Sequence, residues 1–433
     1  MFRPLQRLFV GHVHHAFPGD PETSTMEQST SGAEPTAVAP VTHTFPQEII
    51  DEILDHLAAD PGAGCQSELS LRHCSLVCKS WVESCQRHLF CELYFNVERM
   101  RKWLQVFPVP EQSPGHHVRS ICINFGGSGP VLRKIIKRIQ GFTNLKTITV
   151  YMDRGGRALW TSHFVGLPQS VTSLCLMENS ISLRQIREVI TQLPNLDDLY
   201  LSGALSVTDK NQIRGIGTTL TAKFGGRLEL CTVSPGCSDT DIVNMLLEVP
   251  TGLHFTDVHS WACVSSTVRI VEACSKTLVK LVYVIYSEGE SAPSIRKMLV
   301  LISYSILVGH EGLDRTFDFT KSPNLEELTF EIRLTARDLH WISEAISTLK
   351  PTTSPRLSAL RLTTSYRLPE DLMPDHLKEH LGNVTQLVEE VARVEREFMG
   401  AVKVTVPWRP EVPVLVSPIS ILLAQVSKVE FLY

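Results

Sequence analysis

The sequence predicts an α/β repeat protein, an irregular solenoid, preceded by a small all-α helical module. Three observations predict it. A polar stretch rich in Pro, Ser and Thr ends abruptly at Phe45. Two amphipathic helical patterns follow at once. From about residue 117 a short apolar motif then recurs at spacings of 27, 26 and 25 residues, with helical patterns between several copies.

Residues 18–43, "PGDPETSTMEQSTSGAEPTAVAPVTH", contain almost no large apolar side chain. Nothing there can offset the entropy of ordering, so residues 1–43 are expected to be a disordered tail and linker. The helical module is expected over 44–95. Pro46 suits the first helical position, where its missing N–H is not needed. Glu48 and Asp51 suit the positive end of the helix. Ile50, Ile53, Leu54 and Leu57 follow at i, i+3, i+4 and i+7 on one face, which Ile49 widens. "ADPGAG", 59–64, ends that helix. A second helix is expected over roughly 68–90, with Cys74, Val77, Cys78, Trp81 and Cys85 along its stripe and Leu71 and Leu76 beside it. From periodicity alone, two such helices fit either a docking surface or a cap on the solenoid's N-terminal end.

The recurring motif is apolar, two residues, apolar, one residue, apolar. Its copies are Val118-Ile121-Ile123, Leu145-Ile148-Val150, Val171-Leu174-Leu176 and Leu196-Leu199-Leu201. "LVKLVY" from 278, "LEELTF" from 325 and "LSALRL" from 357 repeat it, with weaker copies near "GGRLEL" and "TGLHF". Helical stretches lie between, such as "SLRQIREVITQL" from 182 and "TARDLHWISEAISTL" from 335. A strand plus a helix at about 25–30 residues is the period of a leucine-rich repeat, whose units leave an apolar face that stacking buries. The expected fold is therefore an irregular leucine-rich-repeat-like solenoid over 96–369. Its best copy, "VTSLCLMENSI" at 171–181, places Asn179 where an asparagine bonds the turn after the strand. The period breaks between 283 and 325. Residues 370–433 read as a C-terminal cap of helix and strand.

Net charge is −5 and the pI about 6.4, so no chain-wide positive field exists. Nucleic acid and membrane are therefore not expected as partners. The 11 scattered cysteines read as free thiols in a reducing compartment, cytoplasmic and/or nuclear. There the acceptor pattern Asn383-Val384-Thr385 would be silent. The longest apolar run, 298–308, falls short of the ~20 residues a spanning helix needs. The opening "MFRPLQRLFVGHVHHAF" reads as a disordered tail or as an extension upstream of a start at Met26. A weak organelle presequence is the alternative.

No catalytic set is recognisable in the sequence. "FGGSGP", 125–130, has the outline of a phosphate loop but lacks the Gly-Lys-Ser/Thr ending, and Pro130 removes an N–H. It reads as a turn. Cys74, Cys78, Cys85 and His88 have helical rather than zinc-ribbon spacing and read as small core residues. No Gly-x-Ser-x-Gly elbow or His-Glu-x-x-His helix is present. Neither an enzyme nor a cofactor or metal site is expected.

The order of residues resembles an F-box: Phe45-Pro46-Gln47-Glu48, then Ile49 through Leu57, then Leu71-x-x-Cys74-Ser75-Leu76-Val77-Cys78-Lys79-x-Trp81. "HLFCELYF", 88–95, is similar to the usual exit from that module. The chain looks most like fungal F-box proteins with leucine-rich-repeat-like C-terminal halves. Phe45 replaces the common leucine, and the segment between the helices is longer than usual. The resemblance implies a non-catalytic substrate adaptor of a ubiquitin ligase. The F-box would dock a Skp-family adaptor protein, and through it a cullin and a RING subunit. The repeats would hold a target protein of unknown identity. The adaptor-binding residues it implies are Phe45, Pro46, Ile49, Ile50, Ile53, Leu54, Leu57, Leu76, Val77, Cys78 and Trp81. Some of these must instead join the two helices, and the sequence does not sort them. Outward positions on the repeats would include Lys146, Thr147, Thr172, Ser173, Asp197, Asp198, Tyr200, Glu326 and Glu327. The alternative is a leucine-rich-repeat scaffold whose F-box joins no ligase.

Overall fold

The strands Ser120–Asn124, Thr147–Tyr151, Asp198–Ser202 and Arg227–Cys231 alternate buried and half-exposed side chains although their neighbours run parallel to them, whereas Leu281 to Val284 and Leu328 to Phe330 are buried without a break. Parallel strands covered on both faces read as continuous apolar runs, so alternation means that only one face is covered. The computed structural model of the 433-residue chain describes residues 46–59, 65–77, 79–124, 129–151, 166–177, 183–202, 222–231, 239–261, 264–285, 317–332, 336–364, 374–399 and 401–405. The chain divides into two compact units, residues 1–92 and 93–433.

In the first unit, α1 spans Gln47–Ala59, α2 Cys65–Cys74 and α3 Lys79–Leu89. The single helix expected over 68–90 is therefore two. The break falls at Ser75-Leu76-Val77. The Ser75 hydroxyl donates back to the Arg72 carbonyl (2.6 Å), and the Leu76 and Val77 N–H groups close three-residue turns onto His73 and Cys74. Serine's competition for backbone acceptors ends the helix there. Pro46 stands one residue ahead of α1, and its carbonyl accepts from the Ile50 N–H at 3.3 Å.

Among the described residues the second unit carries an 11-stranded sheet whose spatial order is its chain order. The strands are β1 Glu92–Phe95, β2 Ser120–Asn124, β3 Thr147–Tyr151, β4 Ser173–Met177, β5 Asp198–Ser202, β6 Arg227–Cys231, β7 Asp257–Ser260, β8 Lys280–Ile285, β9 Glu327–Ile332, β10 Ala359–Thr364 and β11 Lys403–Thr405. Every pairing from β2 to β11 is parallel. Helices connect them: α4 Val97–Val106, α5 Gly129–Ile139, α6 Leu183–Thr191, α7 Asp239–Leu247, α8 Val264–Cys274, α9 Ala336–Ser347 and α10 Pro374–Glu397. The result is a solenoid-like α/β architecture. No helix among the described residues is long and apolar enough to cross a membrane.

One buried column crosses ten strands in strict register: Ile121, Ile148, Leu174, Leu199, Leu228, Val258, Leu281, Leu328, Leu360 and Val404. All but Val258 and Val404 are the central apolar positions of the motif copies read from the sequence. The helices bury the opposite side of this core, as Leu132, Ile135, Ile136 and Ile139 of α5 show. The period break after residue 283 leaves the sheet intact, because Leu281 pairs directly with Leu328. The weak "TGLHF" copy is displaced: Leu253 and Phe255 are buried, but the strand itself begins at Asp257.

Turns between units share a device. The Arg119 carbonyl accepts both the Lys146 and the Thr147 N–H (2.7 and 3.0 Å), and the carbonyls of Lys146, Thr172, Gly226, Thr256, Val279 and Glu326 do the same for the unit that follows. The amides of Asn144, Asn195 and Asn324 donate to the carbonyls of His116, Gln169 and Lys276 in the preceding turn. Asn179 lies outside the described residues. The asparagines that tie units together instead sit immediately before the first apolar position, in "TNLK", "PNLD" and "PNLE".

Irregularities are absorbed by specific side chains. In β7 the third apolar position is Ser260, fully buried, with its hydroxyl 2.7 Å from that of Thr267. Tyr283, Phe317, Phe330 and Trp341 pack edge-on or tilted around the junction of β8 and β9. At the far end Arg393 of α10 donates to the Ile346 and Leu349 carbonyls (2.9 and 3.1 Å) and pairs with Glu390 and Glu397. The Ile346 carbonyl also accepts from the Leu349 N–H (3.0 Å), so Arg393 adds a second donor there and ties α10 to the turn that follows α9.

Candidate functional site

Successive residues of a helix point 100° apart, so one broad apolar arc can serve two neighbours. The arc of α1 is divided in this way. Ile50 (3% exposed) and Leu54 (0%) pack with Leu71 and Cys85, and Leu57, Cys74, Trp81 and Leu89 close around them. Ile49 (43%) and Ile53 (42%) form the adjacent stripe and face outward. Leu76 (82%) and Val77 (65%) project from the turn between α2 and α3. Their own N–H groups are spent on that turn, which holds the two side chains out.

Of the residues the resemblance implied, Ile50 and Leu54 thus belong to the internal core, and Leu57 and Trp81 are half-buried beside it. Pro46, Ile49, Ile53, Leu76 and Val77 remain exposed. Phe45 and Cys78 lie outside the described residues. The expected common stripe of Cys74, Val77, Cys78, Trp81 and Cys85 does not form, because the chain turns between Cys74 and Lys79. Leu69, exposed on α2, adds a further apolar side chain that no helical stripe in the sequence points to.

A polar seam locks α1 to α3. The Ser84 hydroxyl donates to Asp51 (2.5 Å), and the Gln47 amide donates to both Asp51 (3.0 Å) and Ser84 (3.1 Å). Arg87 and His88 both reach Asp55, at 3.1 and 2.8 Å. The Ser84 hydrogen bond, with Gln47 after it, holds the Asp51 carboxyl below its ordinary value. Cys85 sits in the apolar core, where burial pushes its thiol up. Among the described residues no three His, Cys, Asp or Glu side chains are placed to hold a metal ion.

The second candidate is the uncovered face of the sheet. Tyr200, Glu229 and His259 are register neighbours on β5, β6 and β7. Arg227 lies among them. Its guanidinium donates to Glu229 (3.0 Å) and to His259 Nδ1 (2.9 Å) and sits 5.6 Å over the Tyr200 ring. A guanidinium only donates, so Nδ1 accepts, and a neutral imidazole keeps its proton on Nε2. That nitrogen lies 3.0 Å from Asp257. Lys280 and Glu327 pair at 3.0 Å on the next two strands. Asp198 accepts from the Arg227 backbone N–H (2.7 Å), and a Cβ at Gly226 would stand 2.1 Å from that same carboxylate oxygen. Glycine at 226 is what lets the carboxylate in.

Asp198, Tyr200 and Glu327 are recognisable on this face from the motif alone. Arg227, Glu229, Asp257 and His259 are not, because they occupy alternate positions of strands whose register only the fold sets. Ser173 is buried rather than open. Cys122 and Cys175 lie in the same outward row, and burial pushes each thiol up to about 12. At neutral pH they stay protonated and make poor nucleophiles. Residues 125–128 of the glycine-rich turn lie outside the described residues. No family model matches the chain, and no curated protein matches it.

Proposed function

We propose that the chain is a substrate-recognition subunit of a Skp-cullin-F-box ubiquitin ligase, acting in the cytoplasm or nucleus. The helical unit serves as the F-box and docks a Skp-family adaptor, which bridges to a cullin and its RING subunit. The leucine-rich-repeat-like sheet holds a target protein. The observation that supports this reading is the divided arc of α1. A core of Ile50, Leu54, Leu71 and Cys85 is complete without Ile49, Ile53, Leu76 and Val77, which are left for another protein. No chemistry is asked of this chain. Holding a target near the ubiquitin-loaded enzyme raises the rate through effective concentration alone.

Each large apolar side chain buried contributes about 1.5–3 kcal/mol. Ile49→Asp with Ile53→Asp, and separately Leu76→Asp with Val77→Asp, should therefore weaken retention of a recombinant Skp-family adaptor by about a hundredfold or more. The melting curve should stay close to wild type. Leu54→Asp is unsuitable, because it would put an unpaired charge into the core and unfold the unit. Undiminished retention by both folded double variants would falsify the docking role. Affinity purification with mass spectrometry should then show adaptor and cullin vanishing from the variant while targets remain. The scaffold alternative expects no adaptor with either chain.

A further inference from the structure

The chain is acidic as a whole, yet residues 97–151 carry nine Lys and Arg against Glu98 and Glu111. No Asp or Glu occurs from 112 to 151. The fold collects these charges on the neighbouring helices α4 and α5 and on the turns that precede β2 and β3. α5 turns Leu132, Ile135, Ile136 and Ile139 into the core and presents Arg133, Lys134 and Lys137 to solvent. Arg101, Lys102 and Lys146 are likewise exposed. Three bonds bind the region together: Arg138 to the Pro108 carbonyl, Asn144 to the His116 carbonyl and the Lys146 N–H to the Arg119 carbonyl.

Among the described residues none of these nine side chains forms an ion pair. Cations elsewhere in the unit do: Arg184 with Glu188, Arg187 with Glu248, Arg227 with Glu229 and Lys280 with Glu327. Like charges one helical turn apart, as at Arg133 and Lys137, repel and weaken the helix slightly. On α4 only Glu98 opposes the cations and α5 carries no acid, so the surface keeps its positive field open for a partner.

We infer that the α4–α5 face binds an acidic segment of another protein. Cations one turn apart stand about 5–6 Å from each other. Alternate residues of an extended chain recur at about 6.5–7 Å, so carboxylates at every second position can meet successive turns. Val106 and Val109, exposed beside the cations, suit apolar residues interspersed in such a segment. Single-stranded nucleic acid needs aromatic platforms, and here Trp103 and Phe142 are buried. A membrane surface needs larger apolar anchors than two valines. The face belongs to the repeat unit, and the inference does not depend on the helical unit docking an adaptor.

The test uses the full chain and fluorescence anisotropy with a labelled oligo-glutamate peptide carrying interspersed leucines. The peptide should bind saturably and weaken as salt is raised. Binding should fall by about tenfold or more in Arg133→Gln/Lys134→Gln/Lys137→Gln and should be unchanged in Lys321→Gln, a distant exposed cation. Two further arms use a mixed-sequence DNA duplex and vesicles containing phosphatidylserine. Absence of saturable peptide binding overturns the inference, as does equal binding by the folded triple variant. Tighter binding of the duplex or of the vesicles than of the peptide also overturns it.

Discussion

Asp51 shows how much of a carboxylate's role depends on a partner distant in the chain. By position it is an acid in the early part of a helix. In the fold it is the acceptor for Ser84 and Gln47, and this holds its pKa below the ordinary value of 3.8. A depressed carboxylate stabilises the folded state above its unfolded pKa, and the contribution is lost as pH falls through the lower folded value. Hydrogen-exchange protection of α1 and α3 should therefore decline as pH drops below the ordinary carboxylate value. Ser84→Ala should be less stable at neutral pH and lose less on acidification. Parallel curves for the two proteins would discount the Asp51–Ser84 bond. The division between Ile49 and Ile50 was equally hidden. Periodicity shows an apolar arc, but only the placement of α3 decides which stripe is inside. The buried triplets of the repeats, by contrast, were legible, because each recurs at fixed spacing and needs no distant partner to be recognised.

At the level of helices, two features escaped the sequence for the same reason. The break at Ser75 depends on where one hydroxyl finds an acceptor, and the end of α9 depends on a side chain from α10. Arg393 supplies two charged hydrogen bonds to the Ile346 and Leu349 carbonyls, in the last turn of α9 and just past it. Such bonds contribute about 1.5–3 kcal/mol each to a buried acceptor, less where solvent reaches them, as it does here in part. Arg393→Ala should cost about 1–3 kcal/mol by urea unfolding followed through far-UV circular dichroism. Arg393→Lys should recover only part of this, since an ammonium lacks the planar fork that spans both carbonyls. Full recovery by lysine would show that charge alone, and not the fork, matters. The cap at the start of α4, by contrast, uses residues adjacent in sequence: Asn96 accepts from the Arg99 N–H at 2.8 Å.

The sheet as a body behaves as a one-dimensional stack, in which each strand bonds only to the strands before and after it. Leu281→Ala would open a cavity costing about 2–5 kcal/mol. Hydrogen exchange should accelerate first in β7 to β9 and leave β2 to β4 protected. Uniform acceleration across all strands would mean that the stack unfolds as a single unit. The order of strands was legible from the spacing of the motif, but its continuity across the break after residue 283 was not. Spacing measures the connection, whereas pairing depends on the turn. That distinction bears on how such a chain changes over generations. A single carbonyl grips two N–H groups of the next unit, so the grip does not depend on the length of chain that lies between. Insertions in the connections leave the pairing untouched, while a residue gained or lost inside a strand turns the rest of that strand's side chains to the wrong face. An array built this way diversifies through its loops and lengthens by duplicating whole units.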